Sequence, residues 1–174
     1  MKNVLLLLIL SLVCSNIFAQ TVQKTGYVDS QIILAQYAPA IKAQSDLDAI
    51  AAKWTAQRDS MLAELQSAYQ AYGTQKEMMT PDKQRETEQQ LVTQQQNIQR
   101  FESEKFAQPN GELYRKNDEL LAPVKAKIMD AIAKVAKIEG LHFVFDKTGD
   151  VVLLYADDQF DITYKVLDKL KTGK

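Results

Sequence analysis

The chain has 174 residues, of which 46% are hydrophobic and 25% are charged, and its formal net charge at pH 7 is −1. This composition is typical of one folded domain and excludes a disordered chain or a polytopic membrane protein. With no net basic field, the chain is not expected to bind nucleic acid.

Residues 1–19 have the pattern of a secretory signal peptide. Lys2 provides a positive start, an apolar run too short to span a bilayer follows, and Ala19-Gln20 is a suitable cleavage site. Cys14, the only cysteine, is preceded by Val13, whereas lipoprotein processing needs a small residue there. We therefore expect export with cleavage near Ala19-Gln20, in preference to a lipid anchor, and a mature chain without thiol chemistry.

The first mature segment predicts one strand and one short helix. Residues 22–29 favour a strand centred on Thr25 to Val28. Asp29 and Ser30 are candidate caps for the apolar helix that follows. Pro39 ends this helix and begins the next, because proline disfavours a helical residue before it and suits the first turn.

A heptad-like pattern from Lys42 to Val135 predicts a long helical hairpin, interrupted once between Tyr72-Gly73 and Thr80-Pro81. In its first helix, from Ile41 to Tyr72, apolar and small residues alternate spacings of four and three, which is typical of a two-helix seam. These seam positions are Leu47, Ala51, Trp54, Met61, Leu65, Ala68 and Tyr72, with Arg58 in the remaining slot.

Turn and cap residues predict where the hairpin helices end. We expect Gly73 to end the first helix in a left-handed conformation, and Thr80 to cap a second helix that begins at Pro81. This second helix is rich in glutamine and thinly apolar. Kinks or breaks are expected at residues 109–111 and at Pro123, and Gly140 should end the returning helix.

The C-terminal region predicts a β-hairpin of residues 142–146 and 151–155, turning at residues 147–150. A last helix follows, with Asp161 as its cap. Six glycines and four prolines leave few other turns, which favours long elements.

These elements predict a mostly α fold with a small β body (α+β). The body is expected to contain residues 20–40 and 136–174 with the base of the hairpin, and the arm about residues 41–122. Three short strands leave open edges and an uncovered face, so we expect other copies of the chain to complete the body. The residues expected in this oligomer body are Tyr27, Val28, Phe143, Phe145, Val151, Leu153 and Tyr155.

No arrangement of residues indicates catalysis or a metal site. His142 is the only histidine, has no nucleophile in a suitable motif, and is expected to be structural at a strand edge. Asp157, Asp158 and Asp161 lack the spacing of a calcium loop, so turn and cap roles are expected. We expect no enzyme activity, no cofactor and no metal.

In its order of elements the chain resembles the Skp/OmpH family of periplasmic chaperones. The resemblance lies in the Tyr27-Val28-Asp29-Ser30 strand, the long hairpin, and the C-terminal segments Phe143-Val144-Phe145-Asp146, Leu154-Tyr155 and Asp161-Ile162-Thr163. It implies a homotrimer with a β-barrel body and three helical arms, which holds unfolded outer-membrane proteins in the periplasm without ATP. Any contact with the membrane surface would be transient and without an anchor.

The arm departs from the strongly basic character of that family. Residues 41–120 contain 10 Lys and Arg against 13 Asp and Glu, a difference of −3. We therefore expect clients to be held by weak, largely uncharged contacts rather than by an electrostatic funnel or a basic lipopolysaccharide site. The candidate client-binding residues are Met61, Leu65, Tyr69, Tyr72, Met78, Met79, Leu91 and Ile98.

Two alternatives remain open. The seam residues among these candidates could simply pack the two helices together. The whole protein could be an exported coiled-coil scaffold or adaptor of the cell envelope, which would bind one defined partner at one defined site.

Overall fold

The structure is a computed structural model, described here for residues 23–149 and 153–173. None of the helices in these ranges combines the length and the hydrophobicity that a membrane-spanning segment needs. The elements in chain order are strand β1 (Thr25–Val28), helix α1 (Ser30–Gln36), helix α2 (Ala38–Gln75), a 3-10 turn (Lys76–Met78), helix α3 (Pro81–Phe106), helix α4 (Glu112–Glu139), strand β2 (Phe143–Asp146), a 3-10 turn (Asp158–Phe160) and helix α5 (Thr163–Thr172).

Local capping defines the start of the fold as predicted. The Asp29 side chain accepts a hydrogen bond from the backbone N–H of Ile32 at 3.0 Å, which caps α1. The backbone turns extended at Tyr37, and α2 begins at Ala38 with Pro39 in its first turn. Helix α2, the first long helix of the hairpin, therefore starts three residues before Ile41, the first position of the apolar pattern.

The prediction that Gly73 ends the first arm helix is wrong. Helix α2 continues through Gly73 to Gln75, and the chain then forms a 3-10 turn. A glycine inside a helix costs about 1 kcal/mol relative to alanine. Contacts of Tyr72 and Lys76 with Glu88 on α3 hold the helix on both sides of this glycine.

The return of the hairpin begins and breaks where the sequence predicts. Thr80 caps α3 by accepting a hydrogen bond from the Lys83 N–H at 3.4 Å, and Pro81 is in the first turn. The chain leaves the helix between Phe106 and Glu112. At Gly111 a β-carbon would lie 2.5 Å from the carbonyl oxygen of Ala107, so this close approach requires glycine.

Pro123 does not break α4, which runs without interruption to Glu139. Proline removes one helical hydrogen bond, but Val124, Ile128 and Val135 are buried in the core and hold the helix on the C-terminal side of the proline. Gly140 ends α4 in the left-handed conformation, with φ of 67°, as predicted.

The sheet differs from the predicted β-hairpin. Strand β2 pairs in parallel with β1, with Thr25 opposite Phe143 and Val28 opposite Asp146. Residues 153–155 lie in no strand, and Val151 is outside the described residues. An apolar segment close in sequence favours a β-hairpin, but β2 pairs with β1, which lies more than 100 residues earlier in the chain.

One core joins both chain ends to the base of the hairpin. Helix α5 packs over α1 and α4, and a hydrogen bond of 2.9 Å from the Asp29 N–H to the Thr163 hydroxyl links β1 to α5. The mostly helical α+β class is thus confirmed. The buried residues of this core are Val28, Ile33, Tyr37, Ala40, Ala43, Val124, Ile128, Ala131, Val135, Ile162, Val166 and Leu167.

Candidate functional surfaces

The seam between α2 and α3 lies where the sequence pattern predicts it. On α3, Leu91 and Ile98 are only 4% and 5% exposed. They hold the two helices together and present almost no side-chain surface while the hairpin is closed. The predicted seam positions of α2 are all partly or fully buried: Leu47, Ala51, Trp54, Arg58, Met61, Leu65, Ala68 and Tyr72.

The arm also carries apolar side chains outside the seam. Of the eight candidate client-binding residues, Tyr69 and Met78 are exposed, and Met78 at the tip is 82% exposed. Leu62 and Val92 are exposed as well, and sequence reasoning missed them because it followed the seam alone. In the sequence, each of these two residues directly follows a seam residue, and this position could have indicated an exposed apolar side chain. The remaining candidates are half-buried: Met61, Leu65, Tyr72 and Met79.

A shallow groove on α2 gathers several of these side chains. It has a volume of about 540 Å³ and is lined by Leu62, Leu65, Gln66, Tyr69 and Gln70. None of the five is charged, and their spacing of three, four and seven residues places them on one helix face. The groove can therefore contact an apolar segment without requiring a matching charge.

A polar contact between α2 and α3 stabilises the hairpin close to its tip. The Tyr72 hydroxyl donates a hydrogen bond to the Glu88 carboxylate, and the Lys76 ammonium lies 3.5 Å from the same carboxylate oxygen. The hydrogen bond from Tyr72, and then that from Lys76, lower the pKa of Glu88 although burial opposes the shift. The ionised Glu88 carboxylate is therefore favoured, and it accepts hydrogen bonds from both Tyr72 and Lys76.

An aromatic cluster packs α2 against the end of α3, at the break between α3 and α4. The rings of Trp54 and Phe106 meet edge to face with centroids 6.4 Å apart. The Lys105 ammonium lies 4.9 Å from the Trp54 ring centroid, and the Arg58 guanidinium lies 5.9 Å from that of Phe106. Lys105 also forms an ion pair with Glu112 across the break. Trp54 thus packs between helices, as its seam position predicts.

The predicted body residues of the two strands lie in different environments. Tyr27 and Val28 on β1 are buried within the chain's own core. Phe143 and Phe145 on β2 are exposed. Strand β2 pairs with β1 on one edge, and no strand of the described residues pairs with its other edge.

The segment after β2 is apolar and largely unburied. Leu153 is half-buried, while Leu154 and Tyr155 are 93% and 84% exposed. In the part of the chain that the structure describes, neither of these adjacent apolar side chains belongs to the core. Like the exposed Phe143 and Phe145 of β2, they form an apolar surface that a second protein could cover.

An apolar groove of about 410 Å³ lies beside β2, between the strand and α4. Its lining includes Leu34, Met129, Ile132 and Phe145, with Lys125 as its only cationic residue. Because Phe145 belongs both to this groove and to the exposed face of β2, the apolar surface of the body is continuous.

The titratable side chains singled out in the sequence have structural hydrogen bonds. His142 Nδ1 accepts a hydrogen bond from the Lys24 N–H at 3.3 Å, beside the start of the sheet. Asp157 and Asp161 each accept one from the backbone N–H two residues later, at 3.1 and 2.8 Å. In the described parts of the chain no three His, Cys, Asp or Glu side chains are grouped to hold a metal ion.

Known proteins match both the sequence and the fold. The family model described as outer membrane protein (OmpH-like) matches residues 24–170. The crystal structure of a candidate outer membrane chaperone (OmpH-like) from Caulobacter crescentus CB15 has a TM-score of 0.72 and 15% sequence identity, covering 87% of this chain and 86% of that chain. At this identity the likeness concerns the fold. A search of curated proteins finds no significant match.

Proposed function

The chain belongs to the OmpH-like family, and we propose that it is an ATP-independent periplasmic holdase that keeps unfolded outer-membrane proteins from aggregating. It binds its clients along helical arms, and three copies share one body so that the arms enclose a cavity. It catalyses no reaction and needs no cofactor in this role.

The observation that carries this proposal is the uncharged apolar groove on the arm. Burial of apolar surface contributes about 25 cal/mol per Å², so a half-exposed side chain such as Leu62 or Tyr69 contributes only ~1 kcal/mol when a client covers it. Many such contacts are therefore needed to hold one chain, and each can exchange quickly. This pattern suits a protein that retains many different sequences without folding them.

The exposed side chains are the best candidates to touch the client. We assign this role first to the exposed Leu62, Tyr69 and Met78. The half-buried Leu65 contributes because it lines the same groove as Leu62 and Tyr69. Met78 suits the tip because methionine adapts to varied surfaces. Leu91 and Ile98 contribute by keeping the hairpin closed. Met61 and Tyr72 are half-buried at the seam, and Met79 is half-buried at the tip, so each could contact a client only at its outer edge.

The charge of the arm supports apolar recognition of clients. The difference of −3 between basic and acidic residues over residues 41–120 provides no attraction for an acidic client or for lipopolysaccharide. The affinity of the arm for a client should therefore increase with the number of apolar residues in that client. Unfolded β-barrel proteins of the outer membrane have this content in their alternating strands.

The homotrimer is proposed from the surfaces that the single chain leaves uncovered. Among the described residues no strand pairs with the outer edge of β2. Four apolar side chains of the body are exposed: Phe143, Phe145, Leu154 and Tyr155. Copies arranged around an axis would cover each of these with another. The trimer number comes from the family resemblance.

Residues 1–19 place this function in the periplasm if they direct export and are removed near Ala19-Gln20. N-terminal sequencing of the protein recovered from a periplasmic extract tests the cleavage. A mature chain beginning at or next to Gln20 is expected, and a chain that keeps residue 1 would contradict it.

Holding activity is tested directly with an unfolded outer-membrane β-barrel protein diluted out of urea. We expect the purified protein to suppress light scattering at a stoichiometric ratio without ATP. A double substitution Leu62→Ser and Tyr69→Ser should reduce this protection. The matched control, Gln66→Ser with Gln70→Ser, changes the same groove without removing apolar surface and should keep most of the protection.

Two outcomes would count against the proposal. Failure to protect several unrelated clients would exclude general holding. Binding of one folded envelope protein at a single site, with no effect on unfolded clients, would instead support the scaffold function.

A further inference from the structure

The two helices of the arm meet in a fixed register. Tyr72 on α2 contacts Glu88 on α3 near the tip, and Trp54 contacts Phe106 near the break between α3 and α4. The residue numbers of both pairs add up to 160. This relation therefore gives the level of each residue of α2 relative to α3 along the arm.

The ion pair of Lys76 with Glu88, at 3.5 Å, marks one of the two flanks of the hairpin, the side surfaces that both helices form beside the seam. On α2, Tyr69 and Leu62 precede Lys76 by 7 and 14 residues, which is about two and four helical turns. On α3, Val92 follows Glu88 by four residues, about one turn. All three apolar residues therefore lie on the same flank, and the register places Tyr69 and Val92 at nearly the same level.

Glutamines lie between these apolar side chains. Gln66 lines the same groove as Leu62 and Tyr69, and Gln95 follows Val92 by three residues on the same flank. Leu62, Tyr69 and Val92 are 43%, 45% and 50% exposed, and both glutamines are exposed as well. We call this surface the uncharged flank and define it by these five residues.

The opposite flank of the hairpin is polar. Glu64 and Gln90 each lie two residues from an apolar residue of the uncharged flank, and two residues rotate about 200° around a helix. Gln57 shares their flank, seven residues before Glu64. Glu64 accepts a hydrogen bond from the Ser60 hydroxyl at 3.2 Å, and Gln90 donates one to Glu86 at 3.4 Å. Between the aromatic cluster and the tip, every exposed large apolar side chain of α2 and α3 belongs to the uncharged flank.

We propose that an unfolded client binds the uncharged flank as one extended segment that spans both helices, whereas the opposite flank stays in solvent. The apolar side chains of the segment contact Leu62, Tyr69 and Val92. Neutral amides such as those of Gln66 and Gln95 can hydrogen-bond with the client backbone without selecting its sequence. The proposal rests on the holding function and gives α3 a direct part in it through Val92.

A second copy of the arm is the other candidate occupant of this flank. A stable protein–protein interface buries about 800 Å² on each partner, and three half-exposed side chains offer far less apolar surface than that. A second copy would therefore not be held by this flank alone. An unfolded chain can contact the same flank on several arms, so its weak contacts add up.

Site-specific cross-linking tests which flank the client touches. Because Cys14, the only cysteine, lies in the predicted signal peptide, a cysteine introduced into the processed protein is its only thiol. Gln66→Cys and Gln95→Cys place this thiol on the uncharged flank, and Gln57→Cys and Gln90→Cys are matched controls on the opposite flank. All four glutamines are exposed. Each variant is labelled with a benzophenone maleimide and mixed with an unfolded outer-membrane β-barrel protein diluted out of urea.

After irradiation, the two labels on the uncharged flank should cross-link the client several times more than the two controls. Equal yields from both flanks would overturn the proposal. Cross-links between copies instead of to the client would assign the flank to contact between arms and would also overturn it. The scattering assay separates the two failures, since protection with equal cross-linking removes only the flank, whereas absent protection removes the holding function as well.

Val92→Ser tests the part played by α3. Covering one half-exposed apolar side chain is worth about fivefold in affinity, so this variant should weaken binding of a fluorescently labelled client by about that factor. Gln90→Ser, on the opposite flank of the same helix, should leave the affinity unchanged. Circular dichroism should show the same helix content for both variants. Unchanged affinity in Val92→Ser would exclude contact between α3 and the client.

Discussion

The hydroxyl of Tyr72 on α2 donates a hydrogen bond to the carboxylate of Glu88 on α3, across the hairpin and close to its tip. The two residues are 16 positions apart in sequence, and Lys76 approaches the same carboxylate. This contact stabilises the end of the arm where few apolar side chains are buried.

Removing this contact should loosen the tip without unfolding the arm. Tyr72→Phe keeps the ring in the seam but loses the donor, so amide exchange should accelerate severalfold across residues 73–88. Exchange around Trp54 should stay unchanged, because the aromatic cluster holds that end of the arm. Hydrogen exchange followed by mass spectrometry measures both regions.

Glu88→Gln should give a similar acceleration, and the double variant should add little to either change, because both substitutions remove the same contact. Fully additive effects would mean that the two residues act independently.

A buried seam residue should determine the stability of the arm, whereas an exposed residue should determine its holding activity. Ile98→Ala creates a cavity in the seam and should cost about 2 to 4 kcal/mol in the free energy of unfolding. Tyr69→Ser changes an exposed residue and should stay within about 0.5 kcal/mol, yet it should weaken holding. Urea unfolding followed by circular dichroism, together with the scattering assay, measures both properties.

The opposite pattern, in which Tyr69→Ser unfolds the arm while client protection persists, would show that Tyr69 packs the hairpin and that clients bind elsewhere.

Assembly should depend on the exposed apolar surface of the body. Phe145→Asp places a charge in the groove beside β2, and Tyr155→Asp places one on the exposed segment that we expect another copy to cover. Either substitution should shift the protein from oligomer to monomer in sedimentation velocity at micromolar concentration. Met78→Ser at the tip should leave the sedimentation coefficient unchanged. A monomeric wild-type protein would refute the shared body.

Stability should fall in acid through Asp146. Burial alone would raise the pKa of Asp146, but hydrogen bonds from Ser30 and Thr148 outweigh it and lower the pKa below its ordinary value of 3.8. The ionised form is therefore favoured in the folded state. Its contribution is complete above the unfolded pKa and is lost as pH falls through the lower, folded pKa.

Asp146→Asn tests this linkage. The Asp146 carboxylate accepts hydrogen bonds from the N–H groups of Ser30 at 3.2 Å and Thr148 at 3.0 Å. The variant should lose about 1 to 2 kcal/mol at neutral pH and almost nothing in acid, where Asp146 is protonated in both states. Urea unfolding at the two pH values measures the difference, and Lys147→Gln is the neighbouring control. An equal loss at both pH values would point to packing.

Features that depend on near neighbours could be predicted from the sequence. The cap at Asp29, the cap at Thr80 and the left-handed Gly140 each follow from a side chain or a backbone conformation within a few residues. The seam was also predictable, because its spacing fixes which face of α2 turns toward α3.

Features that depend on distant partners were predicted less well. The apolar run at residues 151–155 predicts a partner strand for β2, but β2 pairs with β1, from the other end of the chain. Glycine and proline locally favour the end of a helix, but α2 continues through Gly73 and α4 through Pro123. Contacts with α3 hold the first helix, and burial in the core holds the second. The exposed Leu62 and Val92 escaped notice because a seam pattern does not indicate which flanking residues stay uncovered.

The parallel pairing of β1 with β2 also imposes an order on folding. Lys24 and His142, which hydrogen-bond beside the sheet, are 118 residues apart, whereas α2 and α3 meet through nearby sequence. Contacts between distant residues form later than local ones, because a long loop must first be closed. If the chain is threaded through a translocation pore from its N-terminus, the arm can close during passage. The sheet must wait until Phe143 emerges, so the body closes last.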